Sequence, residues 1–209
     1  LIDGKVRRIS GPIIRASGLG EAGLFDVVEV GEKRIIGEIV RLEGAEAIIQ
    51  VYEDNTGLKT GAPAVSTGRP LSALLGPGLL GGIYDGIQRP LELLYNQNGT
   101  YMSPGERGNP LDLGRKWHFV PDASLAGKIA NGEKISASAG LVLGSVQETD
   151  SIICKIMVPP DIRGGDIVSL CGEGDYTVLQ AAAKTSLGEE IPMAQWWPVR
   201  RSRPSVRRL

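Results

Sequence analysis

Histidine and cysteine are nearly absent from this chain of 209 residues, which has one of the former and two of the latter. Two thiols, Cys154 and Cys171, are too few for a disulfide scaffold or a four-ligand zinc site. A single imidazole, His118, excludes a His-rich metal centre. The cysteines read as buried or half-buried thiols in a reducing compartment, brought close only if their strands pair. Long apolar runs are missing too, and nothing approaches the roughly 18 to 20 residues that span a bilayer, so the chain reads as soluble. Net charge is also small: 23 Lys+Arg against 24 Asp+Glu leave −1, with a pI near 6.0, which argues against a general nucleic-acid or anionic-membrane binder. Neither Met nor a basic-then-apolar leader opens the chain at Leu1, and it is expected to have been trimmed or cut from something longer.

What remains is ordinary in bulk, with 42% hydrophobic and 22% charged residues, enough for one large or two small cores. Glycine is the unusual component. Its 29 residues, with 13 prolines, are spread along the chain and make long helices improbable. Between these breakers lie β-branched runs at 5–14, 25–30, 34–42 and 45–52, bounded by turn signals such as Ser10-Gly11-Pro12 and Glu43-Gly44. With a fifth run at 62–67 they predict a small closed or nearly closed barrel. Leu-rich spacing among glycines predicts turns and a short helix near 79–87. Residues 96–109 are polar and breaker-rich, the best candidate for an exposed connection and a domain boundary. A second β-rich block follows, with strands expected at 116–120, 134–137, 141–147, 151–157, 166–170 and 176–179. Residues 200–209 hold five arginines (Arg200, Arg201, Arg203, Arg207, Arg208) and no acid; such a run reads as a solvated tail or a piece cut from its fold, kept from helix by Pro198 and Pro204.

Chemistry is not visible in the motifs. Nucleotide hydrolysis needs a glycine-rich loop ending in Gly-Lys-Ser/Thr, so that backbone N–H groups wrap the phosphates while the lysine reaches the terminal ones. Lys184-Thr185 offers the Lys-Thr pair, but Ala181-Ala182-Ala183 precede it, with no glycine at the required places. Gly172-Glu173-Gly174-Asp175 is glycine-rich but acidic, which repels phosphate, and reads as a hairpin turn. His118 stands between Trp117 and Phe119, a setting more often structural than catalytic, with no Gly-x-Ser-x-Gly elbow beside it. Asn98-Gly99-Thr100 matches a glycosylation acceptor formally but reads as a turn. No catalytic, cofactor-binding or metal-ligating residue is assigned, and the chain reads as a binding or architectural β-protein.

Ordered stretches make the reading specific. Thr67-Gly68-Arg69-Pro70-Leu71-Ser72, Gly76-Pro77-Gly78-Leu79-Leu80 and Ile83-Tyr84-Asp85-Gly86-Ile87-Gln88-Arg89-Pro90-Leu91 resemble the entry to the catalytic A subunit of archaeal and vacuolar-type (A/V-type) rotary ATPases. Ser10-Gly11-Pro12, the run 36–44 and the run 49–53 are similar to its barrel strands. Gly144-Ser145-Val146-Gln147-Glu148-Thr149 and Lys155-Ile156-Met157-Val158-Pro159-Pro160 are similar to its inserted bulge domain, and Gln195 with Trp197-Pro198-Val199-Arg200 to the return into the nucleotide-binding domain. The resemblance implies a mainly β fragment: an N-terminal crown barrel at 1–70, a connecting segment with a short helix at 71–109, the bulge at 110–192 and a lead-in at 193–209 to a nucleotide-binding α/β domain that is missing. The arginine run would be the strand into that domain.

It further implies that ATP and Mg belong to the rest of the parent polypeptide and not to this chain. The implied partners are B subunits of an alternating ring and, through the bulge, peripheral-stalk subunits. The setting would be cytoplasmic, on the periphery of a membrane complex, with no nucleic acid and no direct membrane insertion. A lipoyl- or biotinyl-like carrier module is the alternative, but the expected hairpin tip at Glu148-Thr149-Asp150-Ser151 has no lysine. A nucleic-acid-binding barrel is disfavoured, because the chain outside the arginine run is net acidic.

Overall fold

The computed structural model describes residues 1–99 and 103–203. Among the described residues, fifteen strands and two short helices form two compact units. The first comprises Leu1–Ser72, Leu91–Gly108 and Pro198–Arg200; the second comprises Ala73–Pro90, Asn109–Trp197 and the residues from Arg201.

In the first unit, strands β1 (Ile2–Ser10), β2 (Ile13–Ser17), β3 (Asp26–Val30), β4 (Ile35–Glu43), β5 (Glu46–Val51) and β6 (Pro63–Pro70) close into a barrel of order β1-β2-β5-β4-β3-β6, with β6 pairing back onto β1. Alternation decides which side chains enter it: β3 and β5 bury every second residue, and Ile14, Val28, Val30, Ile39, Ile49 and Ala64 have no exposed surface. The expected single strand over 5–14 is corrected to a hairpin. Ser10 pairs with Ile13 across a two-residue loop, where Gly11 has φ +58°, a conformation a side chain resists and a tight hairpin needs. Helix α1 (Leu91–Asn98) also belongs to this unit.

The second unit begins at Ala73, within β7 (Ser72–Leu75). It continues through β8 (Lys116–Pro121), α2 (Ala123–Ala130), β9 (Val142–Thr149), β10 (Ile152–Met157), β11 (Ile167–Leu170), β12 (Gly174–Thr177), β13 (Ala181–Thr185), β14 (Glu190–Pro192) and β15 (Gln195–Pro198). A sheet of order β10-β9-β8-β12, another of order β11-β13-β14 and a β15-β7 ribbon enclose a core around the fully buried Phe119, Leu143, Val178 and Ile191. Helix α2 starts because Asp122 takes the Leu125 N–H at 2.8 Å, which satisfies one of the free donors of its first turn.

Several expectations fail here for identifiable reasons. No helix forms over 79–87: glycines make that stretch a series of turns, and the helix lies at Leu91–Asn98 beyond Pro90. Residues 134–137 make only the isolated bridge Ser136–Asp166. Gly172 to Asp175 is no hairpin, because β11 pairs with β13 while β12 pairs with β8, so the chain crosses between sheets there. The last strand ends at Pro198, and Arg200 to Arg203 are not strand residues. Arg207, Arg208, Pro204 and Thr100 lie outside the described residues.

Candidate functional site

Two carboxylates on the barrel gather in chain segments from outside it. In β4 the residues Ile35, Gly37 and Ile39 point into the barrel, which leaves Glu38 on the outer face. Nevertheless only 1% of Glu38 is exposed. Arg200 covers it, with Nη2 2.7 Å from Oε2 and Nε 3.2 Å from Oε1, and the Tyr52 hydroxyl donates to Oε2 at 2.8 Å. The Arg200 guanidinium also lies 4.4 Å from the centroid of Phe25, a cation–π contact. Phe25 holds φ +70°, an uncommon conformation for a bulky side chain, fixed by its N–H bond to the Ile39 carbonyl at 2.9 Å. Burial pushes the Glu38 carboxyl up, but hydrogen bonds from Arg200 and Tyr52 outweigh it and hold the group below the usual carboxylate range.

Glu53, just after β5, plays the same part for residues 103–108. Its side chain is 3% exposed, and it accepts the Ile36 N–H at 2.8 Å and the Gly105 N–H at 2.9 Å. Arg107 stands 3.7 Å from the same carboxylate and donates to the Arg34 carbonyl at 2.7 Å. Backbone donors that a strand would otherwise satisfy are thus taken by one carboxylate.

Inside the second unit the glycine-rich stretch is anchored in the same manner. Glu148 on β9 accepts the N–H groups of Gly78 and Leu80 at 2.7 and 3.2 Å. Gln88 accepts from Leu74 N–H at 2.6 Å and donates to the Leu74 carbonyl at 2.8 Å, as a neighbouring strand would. Asp85 takes the N–H groups of Ile87 and Arg89 and the Arg89 side chain. Side chains here do the hydrogen bonding that a helix would have done internally.

Lys184 sits inside β13, flanked by β11 and β14, and its ammonium is engaged by Glu190 at 2.7 Å. Among the described residues no group of three His, Cys, Asp or Glu is placed to hold a metal ion. Cys154 in β10 and Cys171 just after β11 are free thiols, and burial pushes both up, away from reactive thiolates. The tip of the β9–β10 hairpin is Asp150-Ser151, without a lysine for a swinging cofactor. His118 is exposed on the outer face of its sheet. Of the arginine run, Arg200 is held by Glu38, Arg201 donates to the Pro160 carbonyl at 3.1 Å, and Arg203 stacks 5.2 Å from the Trp197 ring. Among the described residues no helix is long and apolar enough to cross a membrane.

Comparison with known proteins matches two stretches of the chain. Residues 6–68 match the ATP synthase alpha/beta family beta-barrel domain, and residues 108–200 match the ATP synthase alpha/beta subunit barrel-sandwich domain. The chain is 46% identical over 210 residues to the A subunit of the A-type ATP synthase of Pyrococcus horikoshii, an alignment covering 99% of this chain and 21% of that protein. It is 46% identical over 208 residues to the corresponding A-type ATP synthase protein of Staphylothermus marinus, covering 100% and 33%. It is also 44% identical over 209 residues to the V-type ATP synthase alpha chain of Clostridium novyi, covering 99% and 34%. The chain therefore spans about a fifth to a third of the length of these curated relatives.

Proposed function

The chain belongs to the ATP synthase alpha/beta family, and from that premise we propose that it is the crown-and-bulge region of the catalytic A subunit of an A/V-type ion-translocating rotary ATPase. The observation that carries this reading is identity of 44–46% to A-type and V-type subunits along essentially the whole chain. In it, residues 1–70 tie each catalytic subunit to its B neighbours in an alternating ring, and residues 110–192 meet the peripheral stalk. The parent couples ATP synthesis or hydrolysis to proton or sodium transport from the cytoplasmic periphery of the membrane, with ATP and Mg held outside this stretch. A closed barrel supports the first role, since it offers no free strand edge and resists deformation. Carboxylates that capture passing segments support a static scaffold.

The reading is tested in the full-length polypeptide co-expressed with its B partner. Deleting residues 1–70 is expected to abolish the alternating ring in native mass spectrometry, whereas replacing residues 110–192 by a short linker keeps the ring and loses stalk capture. A ring that assembles normally without its barrels, or a stalk that still binds without the second domain, refutes the corresponding role.

A further inference from the structure

The outer face of the four-stranded sheet brings one titratable cluster together that assembly leaves unused. His118 on β8 stands directly opposite Asp175 on β12, and carboxylates flank both sides of its ring. Nδ1 lies 2.9 Å from Asp175 Oδ1 and Nε2 lies 3.2 Å from Glu173 Oε1. Ionised carboxylate oxygens only accept, so both contacts are hydrogen bonds only when both ring nitrogens carry protons. A neutral imidazole can donate to one carboxylate and must turn a lone pair toward the other.

Both carboxylates lie at the start of one segment. Asp175 is in β12 and Glu173 immediately precedes it, and β12 is an edge strand of four residues whose one hydrogen-bonded neighbour is β8. It also carries the chain from the three-stranded sheet to the four-stranded one and back. Tyr176, the next residue, meets Phe119 edge to face with centroids 6.4 Å apart, so β12 covers one side of the core.

We propose that His118 is a protonation-dependent pin: as imidazolium it fastens Glu173 and Asp175 to β8, and loss of its proton loosens the attachment of Gly174–Thr177. This goes beyond the proposed assembly role and does not depend on it. The remaining groups on the face leave the two carboxylates dominant. Lys116 shares the outer face of β8, β9 offers the uncharged Ser145 and Gln147, and Lys155 stands on β10 beyond them. Hydrogen bonding first to Asp175 and then to Glu173 raises the imidazole above its ordinary value, outweighing the opposing effect of desolvation. With the folded-state value raised, the pin acts fully below the unfolded imidazole's titration and is lost as pH rises through the folded value. All three side chains are more than half exposed, so salt weakens the pin.

The sole histidine makes the test direct, because the chain gives a single imidazole resonance. The 209-residue chain is titrated by NMR while amide exchange is followed at Gly174–Thr177 and, as a control, in β9 and β10, all corrected for intrinsic rates. The imidazole is expected to titrate above 6.5, and β12 protection to fall through the same midpoint while the control amides hold theirs. Each pH unit between the pinned and released midpoints corresponds to a tenfold change in the opening constant. The double variant Asp175→Asn, Glu173→Gln lowers the midpoint and flattens the β12 profile. Molar salt does so in the unaltered chain, which keeps the test independent of the variant's folding. A midpoint at or below 6.5, or β12 protection that stays flat across the titration, overturns the proposal.

Discussion

Glu38→Ala removes the outer clamp of the barrel, and the structure sets the size of the effect. The carboxylate accepts two hydrogen bonds from Arg200 and one from Tyr52. Stranded donors would cost about 1.5–3 kcal/mol for each charge-assisted bond. These donors are not stranded, since the Arg200 side chain is 55% exposed and Tyr52 is 43% exposed; both regain water, and the desolvation of Glu38 itself disappears. What remains is the net worth of the bonds and the small void under them, on the order of 2 kcal/mol. Glu38→Leu fills the void and costs less, as apolar replacement of buried ionic groups often does. Differential scanning calorimetry of the chain should show the barrel transition lowered on the order of 10 °C for Glu38→Ala. Amide exchange should show weaker protection of Val199, whose N–H bonds to the Leu71 carbonyl one residue before Arg200. A Glu38→Ala chain that melts with its parent and keeps Val199 protected would refute the reasoning.

Acid supplies an independent check on the same group. Because the folded carboxyl is held below its ordinary value, its contribution is present above the unfolded pKa and lost as pH falls through the folded one. Stability curves of the parent and Glu38→Ala should therefore converge on acidification. Glu53→Ala should cost more, about 3 kcal/mol in urea unfolding, because the Ile36 and Gly105 donors are backbone groups that cannot swing into water as Arg200 and Tyr52 can. In the second unit, a Cβ at Gly144 would lie 2.4 Å from Phe119 Cζ and 2.5 Å from the Val120 carbonyl oxygen. Gly144→Ala should then destabilise by about 1–3 kcal/mol, and adding Phe119→Leu should recover only part of that in a double-mutant cycle, since the clash with backbone persists.

The barrel was legible because its strands alternate and carry β-branched residues between glycine turns, so local sequence and global fold agree. Reading 5–14 as one strand took the Ser10-Gly11-Pro12 turn as the end of the run, whereas the chain reverses there and Ile13 pairs back onto Ser10. β13 was missed for a different reason. Ala181, Ala182 and Ala183 have weak strand preference, and burial against the second core decides their conformation. Helix α2 was hidden by Gly127 in its interior, although the Asp122 cap was readable. The helix expected at 79–87 failed because glycines break the stretch into turns, where Glu148 takes the Leu80 N–H and Asp85 the Ile87 N–H. As for the site, Glu38 looks like any outward charge in an alternating strand. Only Arg200, 162 residues later, makes it a buried clamp, and no local signal announces such a partner.

The same separation has a consequence for biosynthesis. All six barrel strands have left the ribosome once Pro70 has emerged, but Arg200 follows Pro70 by about 130 residues, which at 5–20 residues per second is a wait of roughly 6–26 s. During that interval the nascent barrel displays Glu38, Tyr52 and Phe25 without their guanidinium, an acidic and aromatic surface that exists only during synthesis. The clamp closes last, so it reports that everything encoded between the two residues has been delivered.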